Sequence, residues 1–313
     1  MRRTVVAIVC LVIACGCNRG GSATGSATSR PRIALVLKTL NNPFFNDMQR
    51  GAQQAADRLG VELVVQAAER ETDVERQMQI VENLIQSGVQ ALALTPSGSK
   101  EVVPAVVKAN RASIPVVIVD TRLDTGAAAE AGVKTASFIG SDNYEGGRTA
   151  ARFVVDESKG TANVAILEGI PGHETGDSRM RGFKDGIAAS PGVRTVASQT
   201  ANWERDQGFN VFQNMLQAHP EIDTVFACND MMALGAIEAI RAAGKAGKIR
   251  VVGFDAVDDA RKAIREGTMA ASVAQFPDEM GRIAIENAVK TLRGEAVQPD
   301  VKVRIELVNK GEK

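Results

Sequence analysis

Short apolar runs alternate along this chain with stretches in which apolar residues recur at helical spacing. The first run, 33–37, is long enough for one buried strand. The stretch 43–59 then places apolar or small residues near the 3.6-residue period, and Gly60 follows it as a common helix terminator. Strands alternating with helices in this way predict βαβ units, and therefore parallel sheets with right-handed crossovers.

The same pattern predicts secondary structure for the rest of the chain. It predicts strands at 33–37, 61–67, 91–95, 116–120, 137–141, 163–167, 193–199, 224–228, 250–254 and 270–274. It predicts helices at 43–59, 73–87, 102–110, 142–157, 178–189, 206–218, 230–242, 256–266 and 277–292, and an extended segment at 301–307. These are too many units for one sheet, so 313 residues are expected to form two similar halves that meet near 137–141.

The first residues form a targeting segment that takes no part in the fold. Arg2 and Arg3 precede an apolar run at 4–14 that is too short to cross a membrane as a helix. Small residues and cysteines follow, and 1–17 resembles a bacterial lipoprotein signal with Cys15 or Cys17 as the lipidated residue. A plain secretory signal and a short anchor helix are the alternatives. The Gly- and Ser-rich stretch 18–30 predicts a flexible tether.

Composition and charge exclude several classes of partner. Lys plus Arg and Asp plus Glu balance at 37 each, which argues against nucleic acid bound through a basic face and against a polybasic membrane surface. Three of the four cysteines lie in the signal segment, so Cys228 has no partner for a disulfide framework. Neither His173 nor His219 has the spacing of a metal-ligand motif, and we expect no metal and no cofactor.

Short polar groups and aromatic rings follow the predicted strands. Singly they have local explanations, because Asn and Asp often occupy turns and helix N-caps and aromatic rings often belong to the core. Together they lie where parallel α/β sheets bind ligands, and carboxylates, amides and flat rings suit the hydroxyls and C–H faces of a sugar. The residues are Asn42, Phe44, Phe45, Thr95, Asp120, Arg122, Trp203, Asn229, Asp255 and Gln275.

An enzyme is the less favoured reading. The sequence has no GxSxG nucleophile motif, no GxxxxGK phosphate loop and no Cys/His pair. Asp120 and Asp255 remain open as an acid/base pair of the glycosidase kind. We therefore predict a binding protein without catalytic residues.

Six segments resemble the ribose-binding type of periplasmic sugar-binding protein, the type I binding proteins of ABC transporters. They are 39–45, 140–143, 226–230, 232–236, 251–255 and 274–281, and the similarity extends over about 33–310. The resemblance implies an α/β fold of two doubly wound parallel-sheet lobes, joined by a three-segment hinge, with the ligand in the cleft between them. It implies lobes of 31–140 plus 276–304 and 141–275 plus 305–313, with hinges near Ser141, Gln275 and Arg304.

The resemblance also implies ligand contacts, and it shows positions at which this chain differs from the ribose binders. The implied contacts are Asn42, Phe44, Phe45, Asp120, Asn229, Asp255 and Gln275, and Trp203 stands where the family has an aromatic residue. Ribose binders carry an Arg where this chain has Thr121, and Arg122 follows one position later. A second Arg aligns with Asp177, which we therefore add to the predicted ligand-binding residues. Arg179 matches a more structural arginine, and Thr95 replaces an Asn. Because a polar site rejects a mismatched ligand strongly, we predict a pentose, hexose or sugar alcohol other than ribose.

These expectations combine into a function. The chain is expected to be the binding component of an ABC sugar importer, a monomer held by its lipid in the periplasm or at the outer face of the cytoplasmic membrane. Its closed form would dock onto the permease. A sensor that presents the closed form to a chemoreceptor or sensor kinase is the alternative. A sugar-responsive repressor would need a DNA-binding headpiece before Arg32, where this chain has the signal segment and tether.

Overall fold

The computed structural model describes residues 30–311. The predicted signal segment 1–17, the tether up to residue 29 and the candidate lipidation residues Cys15 and Cys17 lie outside the described residues. Within 30–311, none of the helices is both long enough and apolar enough to cross a membrane.

The first of two six-stranded sheets is wholly parallel. Its strand order is β11-β5-β4-β3-β1-β2. The strands are β1 (Arg32–Thr39), β2 (Glu62–Ala68), β3 (Ala91–Leu94), β4 (Val116–Val119), β5 (Ser137–Ser141) and β11 (Asp300–Val303). The accompanying helices are α1 (Pro43–Leu59), α2 (Val74–Gln86), α3 (Val103–Arg111), α4 (Thr125–Glu130) and α10 (Pro277–Leu292).

The second sheet repeats this plan with one antiparallel edge strand. Its order is β12-β10-β9-β8-β6-β7, and β12 runs antiparallel to β10. The strands are β6 (Ala162–Glu168), β7 (Val193–Thr200), β8 (Thr224–Ala227), β9 (Arg250–Asp255), β10 (Ala271–Ala274) and β12 (Glu306–Asn309). The helices are α5 (Asn143–Glu157), α6 (Glu174–Ile187), α7 (Arg205–Ala218), α8 (Asp230–Ala242) and α9 (Asp258–Glu266).

The chain passes between the two sheets at three places. It leaves the first sheet after β5, returns after β10 to form α10 and β11, and leaves again between β11 and β12. The prediction of two α/β lobes built on mostly parallel sheets is confirmed. The predicted extended segment at 301–307 is two short strands, one in each sheet, because Arg304 and Ile305 interrupt the pairing.

The central strands are buried along their whole length. Every residue of β3, β4 and β10 is buried, and Ile33 to Leu37 in β1 are 0% exposed. Helices cover both faces of a parallel sheet, so these strands show continuous apolar runs instead of alternation. The apolar runs therefore located the strands well.

Two helices lie differently from their predictions. The short helix α4 was not predicted, since its Gly and Ala residues form no apolar stripe and none of them is buried. Helix α6 begins at Glu174, four residues before the predicted start at Ser178. Its first turn carries Thr175, Gly176 and Asp177, which give no apolar periodicity.

Helix α6 is positioned by glycines at its crossing with α5. A Cβ atom on Gly147 would lie 2.1 Å from the backbone oxygen of Arg179, and one on Gly182 would lie 2.0 Å from that of Tyr144. Only glycine therefore permits the two backbones to approach so closely. The same reciprocal arrangement joins α1 to α10 through Gly51 and Gly281, and α7 to α8 through Gly208 and Gly235.

We predict that Gly147→Ala lowers the free energy of unfolding by about 1–3 kcal/mol, because the added methyl forces α5 away from α6. Urea denaturation followed by circular dichroism measures the effect. Gly126→Ala is the matched control, since its Cβ would meet only the Asp124 carboxylate at 3.4 Å, and a change below about 1 kcal/mol is expected there. Equal effects of the two substitutions would contradict the close-approach explanation.

Candidate ligand-binding cleft

A cleft with about 270 Å³ of empty space, including its mouth, lies between the carboxyl ends of the two sheets. Its lining combines charged, amide, hydroxyl and aromatic side chains, and each lining residue is buried. We call Lys38, Asn42, Phe44, Phe45, Glu71 and Asp120 the first wall. We call Thr175, Arg179, Trp203, Asn229 and Asp255 the second wall, and Gln275 lies between them at a chain crossing.

Eight of the eleven predicted ligand-binding residues line this cleft. They come from loops far apart in the sequence, and both lobes contribute to them. The eight are Asn42, Phe44, Phe45, Asp120, Trp203, Asn229, Asp255 and Gln275.

The structure places the other three predicted residues elsewhere. Thr95 is buried beneath α1, with its hydroxyl 3.6 Å from the sulfur of Met48. Arg122 donates to Asp300 at 2.8 Å and stacks on Phe138, where it is partly exposed. Asp177 is only partly buried, on the first turn of α6, and does not line the cleft.

Four lining residues were not among the predicted contacts: Lys38, Glu71, Thr175 and Arg179. Lys38 lies in β1 directly after the apolar run, and Glu71 lies in the charged segment 69–73, which is typical of a solvated loop. Arg179 was interpreted as structural, but it enters the cleft. Thr175 and Arg179 are one helical turn apart and share a face of α6, which the misplaced helix start concealed.

Asn42 fixes the geometry of the first wall. Its Oδ1 accepts from the backbone N–H of Phe44 at 3.1 Å and so caps α1, while its Nδ2 donates to Glu71 at 3.1 Å. The rings of Phe44 and Phe45 follow at once, with centroids 5.2 Å apart and planes perpendicular. One amide therefore starts the helix, presents both rings and holds a buried carboxylate.

A buried charge cluster completes the first wall. The Lys38 ammonium lies 3.6 Å from Glu71 and 3.5 Å from Asp120. Burial raises the pKa of Glu71, while Lys38 and the hydrogen bond from Asn42 act in the opposite direction. This wall therefore presents one positive and two acidic groups to the cleft.

Arg179 organises the second wall. Its Nε donates to Asn143 at 2.8 Å, and its Nη1 donates to the Cys228 carbonyl at 2.7 Å and lies 3.4 Å from Asp255. The guanidinium also stacks on Phe254, 3.8 Å from the ring centroid. These four contacts together fix the orientation of the planar group, so Arg179 positions Asp255.

Trp203 lies in a slot made by two glycines. A Cβ atom on Gly169 would lie 2.0 Å from the indole Cζ2, and one on Gly176 would lie 2.9 Å from it. Asn229 also fixes this segment, since its Nδ2 donates to the Trp203 carbonyl at 3.1 Å while its Oδ1 caps α8. The indole is thus held rigidly as one face of the cleft.

Three polar atoms of the lining have no hydrogen-bond partner among residues 30–311. They are Nε1 of Trp203, Oγ1 of Thr175 and Oε1 of Gln275, and all three residues are buried. A buried polar group left unpaired costs about 1–3 kcal/mol. Donor and acceptor groups that face the same cavity are therefore matched by a ligand rich in hydroxyls.

The backbone at three of the lining residues is strained. Asp120, Trp203 and Asp255 have φ values of 64°, 68° and 109°, in the region that favours glycine. Such conformations cost about 1–3 kcal/mol each and persist only where the surroundings impose them. Each follows or ends a strand, so the strain turns a side chain from the sheet edge into the cleft.

The two lobes touch beyond the lining residues. The backbone N–H of Glu174, on α6, donates to the Ser99 hydroxyl at 3.2 Å. His173 beside it is buried against the Ser97 backbone, and burial lowers the pKa of His173 to about 3. The cleft is therefore in its closed form.

Asp255 is a lining carboxylate whose protonation depends on its burial in this closed geometry. Burial raises the pKa of Asp255 from 3.8 to about 7, against the opposing effects of Arg179 and the Gln275 amide, which donates to it at 2.8 Å. Asp230 lies behind it, and burial together with the charge of Asp255 raises the pKa of Asp230 as well.

We predict that Asp255 makes the protein less stable as pH rises between about 4 and 7. In that interval the native state keeps a proton that the unfolded chain has lost, so the free energy of unfolding falls with rising pH. Urea titrations across this range should show a steeper fall for the parent than for Asp255→Asn. Parallel profiles for the two proteins would contradict the assignment.

Among residues 30–311 no cluster of His, Cys, Asp and Glu has the grouping of a metal site. The chain as a whole is similar to known proteins. The family model described as "Periplasmic binding protein domain" matches residues 33–296.

Curated relatives match nearly the whole chain. The ribose import binding protein RbsB of Salmonella typhimurium is 40% identical over 92% of this chain and 94% of its own. A D-ribose/D-allose-binding protein of Pseudomonas aeruginosa is 38% identical over 98% of this chain and 97% of its own.

Solved structures match equally well. A periplasmic solute-binding protein of an ABC transporter from Actinobacillus succinogenes, with bound D-allose, has a TM-score of 0.84 and 39% identity, covering 90% of this chain and 98% of that one. A carbohydrate-transporter solute-binding protein from Agrobacterium radiobacter, in complex with D-arabinose, has a TM-score of 0.84 and 30% identity, covering 91% and 96%. This chain belongs to the periplasmic binding protein family, as a type I sugar-binding protein.

Proposed function

We propose that this protein is the sugar-binding component of an ABC importer and that it closes its two lobes on a neutral monosaccharide or sugar alcohol. The observation that carries the proposal is the buried cleft whose aromatic faces, carboxylates and unpaired polar atoms come from both lobes. The relatives support it, since their names and titles refer to import or to bound monosaccharides such as D-allose and D-arabinose.

Binding would proceed by hinge closure. In our proposal the moving bodies are 31–140 plus 276–304 and 141–275 plus 305–313, which rotate about Ser141, Gln275 and Arg304. A ligand drives closure only if it interacts with both bodies in the closed form. The first wall supplies Phe44, Phe45 and the charged cluster, and the second wall supplies Trp203 and Asp255.

The closed monomer would then be recognised by a membrane permease. The names of the relatives favour an importer, and no observation on this chain favours a chemoreceptor or sensor kinase in its place. The protein itself would leave the sugar chemically unchanged.

The identity of the sugar is a separate part of the proposal. Arg179, which matches a different arginine of the ribose binders, lines the cleft, but the arginines expected at Thr121 and Asp177 are absent from this sequence. Thr121 still stands where ribose binders carry an arginine, and the Lys38 ammonium lies 3.5 Å from the neighbouring Asp120. We therefore still propose a pentose, hexose or polyol other than ribose.

A thermal-shift screen tests the binding function. We expect at least one of D-allose, D-ribose, D-arabinose, D-fucose, D-tagatose, xylitol and sorbitol to raise the melting temperature. A ligand at 100 times its Kd adds about 2.7 kcal/mol to stability. Calorimetry on Asp255→Ala should then show a Kd raised by about 10- to 100-fold, because a buried carboxyl group that hydrogen-bonds the ligand is lost.

The control for that substitution is Asp156→Ala, which removes an exposed carboxylate at the far end of α5. It should leave the Kd unchanged. Absence of a shift with every sugar, or unchanged affinity in Asp255→Ala, would contradict the proposed site.

We also propose that the mature protein is lipid-anchored outside the cytoplasm through Cys15 or Cys17. The supporting observation is the basic start and short apolar run that precede these cysteines. Cys15→Ser, Cys17→Ser and the double variant, expressed in a bacterium fed an alkyne fatty acid, should separate the candidates. One single variant should lose both the label and membrane sedimentation, and label retained in the double variant would exclude both cysteines.

A further inference from the structure

Lys38 is a buried cation whose ammonium makes no direct hydrogen bond to any of residues 30–311. It is 2% exposed, and it lines the cleft. Its Nζ lies 3.5 Å from Asp120 Oδ2 and 3.6 Å from Glu71 Oε2, which exceeds the 2.7–3.2 Å typical of a direct N–H···O bond. The two carboxylates therefore balance the charge, while the ammonium hydrogens remain available to an atom in the cavity.

Glu71 is fixed beside this ammonium. It follows β2, is 5% exposed, and its Oε1 accepts from the Asn42 amide at 3.1 Å. Asn42 in turn caps α1 through its Oδ1, so the amide that holds the carboxylate is itself fixed by the start of the helix. Lys38 and Glu71 thus present a cation and an anion side by side at one end of the first wall.

The opposite lobe presents unpaired polar atoms to the same cleft. Thr175 Oγ1 and Trp203 Nε1 have no partner within 30–311, and both residues line the cleft together with Lys38 and Glu71. The second wall therefore faces the charged pair with groups that can each exchange a hydrogen bond with a ligand.

The charges define what fits there. Lys38, Glu71 and Asp120 together carry one positive and two negative charges, so a carboxylate or phosphate would be repelled by the two acidic groups and an ammonium by Lys38. A hydroxyl can accept from a cation and donate to an anion at once. A neutral hydroxyl group is the ligand feature that satisfies both partners.

We propose that Lys38 and Glu71 form a hydroxyl-reading pair: one hydroxyl of a neutral sugar accepts a hydrogen bond from Lys38 and donates one to Glu71. The inference rests on the proposed function and deepens it, because it makes this pair a determinant of specificity. A sugar without that hydroxyl would leave the buried ammonium and carboxylate without this hydrogen-bond partner and would be rejected strongly. Sugar acids and sugar phosphates would be excluded by the excess negative charge of Glu71 and Asp120 over Lys38.

Calorimetry with monodeoxy sugars tests the proposal. The probe is the sugar from the panel above that raises the melting temperature most, together with its monodeoxy derivatives. In the parent, one derivative should bind about 10- to 100-fold more weakly than the others, because it lacks the hydroxyl that bonds both Lys38 and Glu71. In Lys38→Met that derivative and the intact sugar should differ by less than about threefold, and the intact sugar should itself bind about 10- to 100-fold more weakly.

Controls separate recognition from folding. Lys38→Met/Glu71→Gln removes one positive and one negative charge together, so the net charge of the cluster with Asp120 is unchanged, and it replaces Lys38→Met if the single variant melts early. Lys290→Met removes an exposed lysine of α10 and should bind every sugar as the parent does. In the parent, D-glucuronate should not raise the melting temperature.

The outcomes distinguish this inference from the proposed function. If no sugar of the panel binds the parent, both are overturned. If a sugar binds the parent, three results would overturn only the hydroxyl-reading pair. The first is an unchanged affinity in Lys38→Met, and the second is an affinity in Lys38→Met that falls by the same factor for the intact sugar and for every deoxy derivative. The third is D-glucuronate binding to the parent as tightly as the neutral sugar.

Discussion

The second wall depends on the buried guanidinium of Arg179. This one group holds Asn143 at the start of α5, the carbonyl of Cys228 after β8 and the carboxylate of Asp255 at the end of β9. It can do so because Gly147 and Gly182 let α6 lie directly against α5, which brings the first turns of α6 over the sheet edge. Removing a buried charge of this kind leaves its partners unpaired, which is strongly unfavourable. The carboxylate that faces the ligand is therefore positioned by helix packing as much as by its own strand.

The two walls use different means to present similar chemistry. The first wall places its carboxylates around Lys38 and its rings on the first turn of α1. The second wall surrounds an arginine with aromatic faces and seats Trp203 over two glycines. In both, residues at strand ends adopt positive φ, which no sheet geometry requires. The shared constraint is that short polar side chains must turn away from a sheet edge towards a common cavity.

The sequence was informative wherever burial acts on a whole segment. Continuous apolar runs located the strands, since parallel sheets are covered on both faces, and the repeated strand–helix order predicted the two lobes. The sequence was less informative where the question is whether a single side chain lies in the cleft. Lys38 follows an apolar run and Glu71 lies in a charged loop, so neither shows by pattern that it is buried in a cleft. Arg122 lies next to the correct strand end but stacks on Phe138 and pairs with Asp300, a residue 178 positions away. Such pairings depend on tertiary contacts that local spacing does not contain.

The unpaired atoms of the cleft explain why closure should require a ligand. Three buried polar atoms without partners, at about 1–3 kcal/mol each, disfavour an empty closed form by several kcal/mol. One interlobe hydrogen bond, from Glu174 to Ser99, stabilises the closed form by only about 1 kcal/mol. A shift from 1% to 99% closed needs about 5.5 kcal/mol of differential affinity, which is comparable to the penalty that a hydroxylated ligand would remove. The groups that give the cleft its specificity therefore also set the open–closed equilibrium, because the ligand satisfies in the closed form the same atoms that oppose closure in its absence.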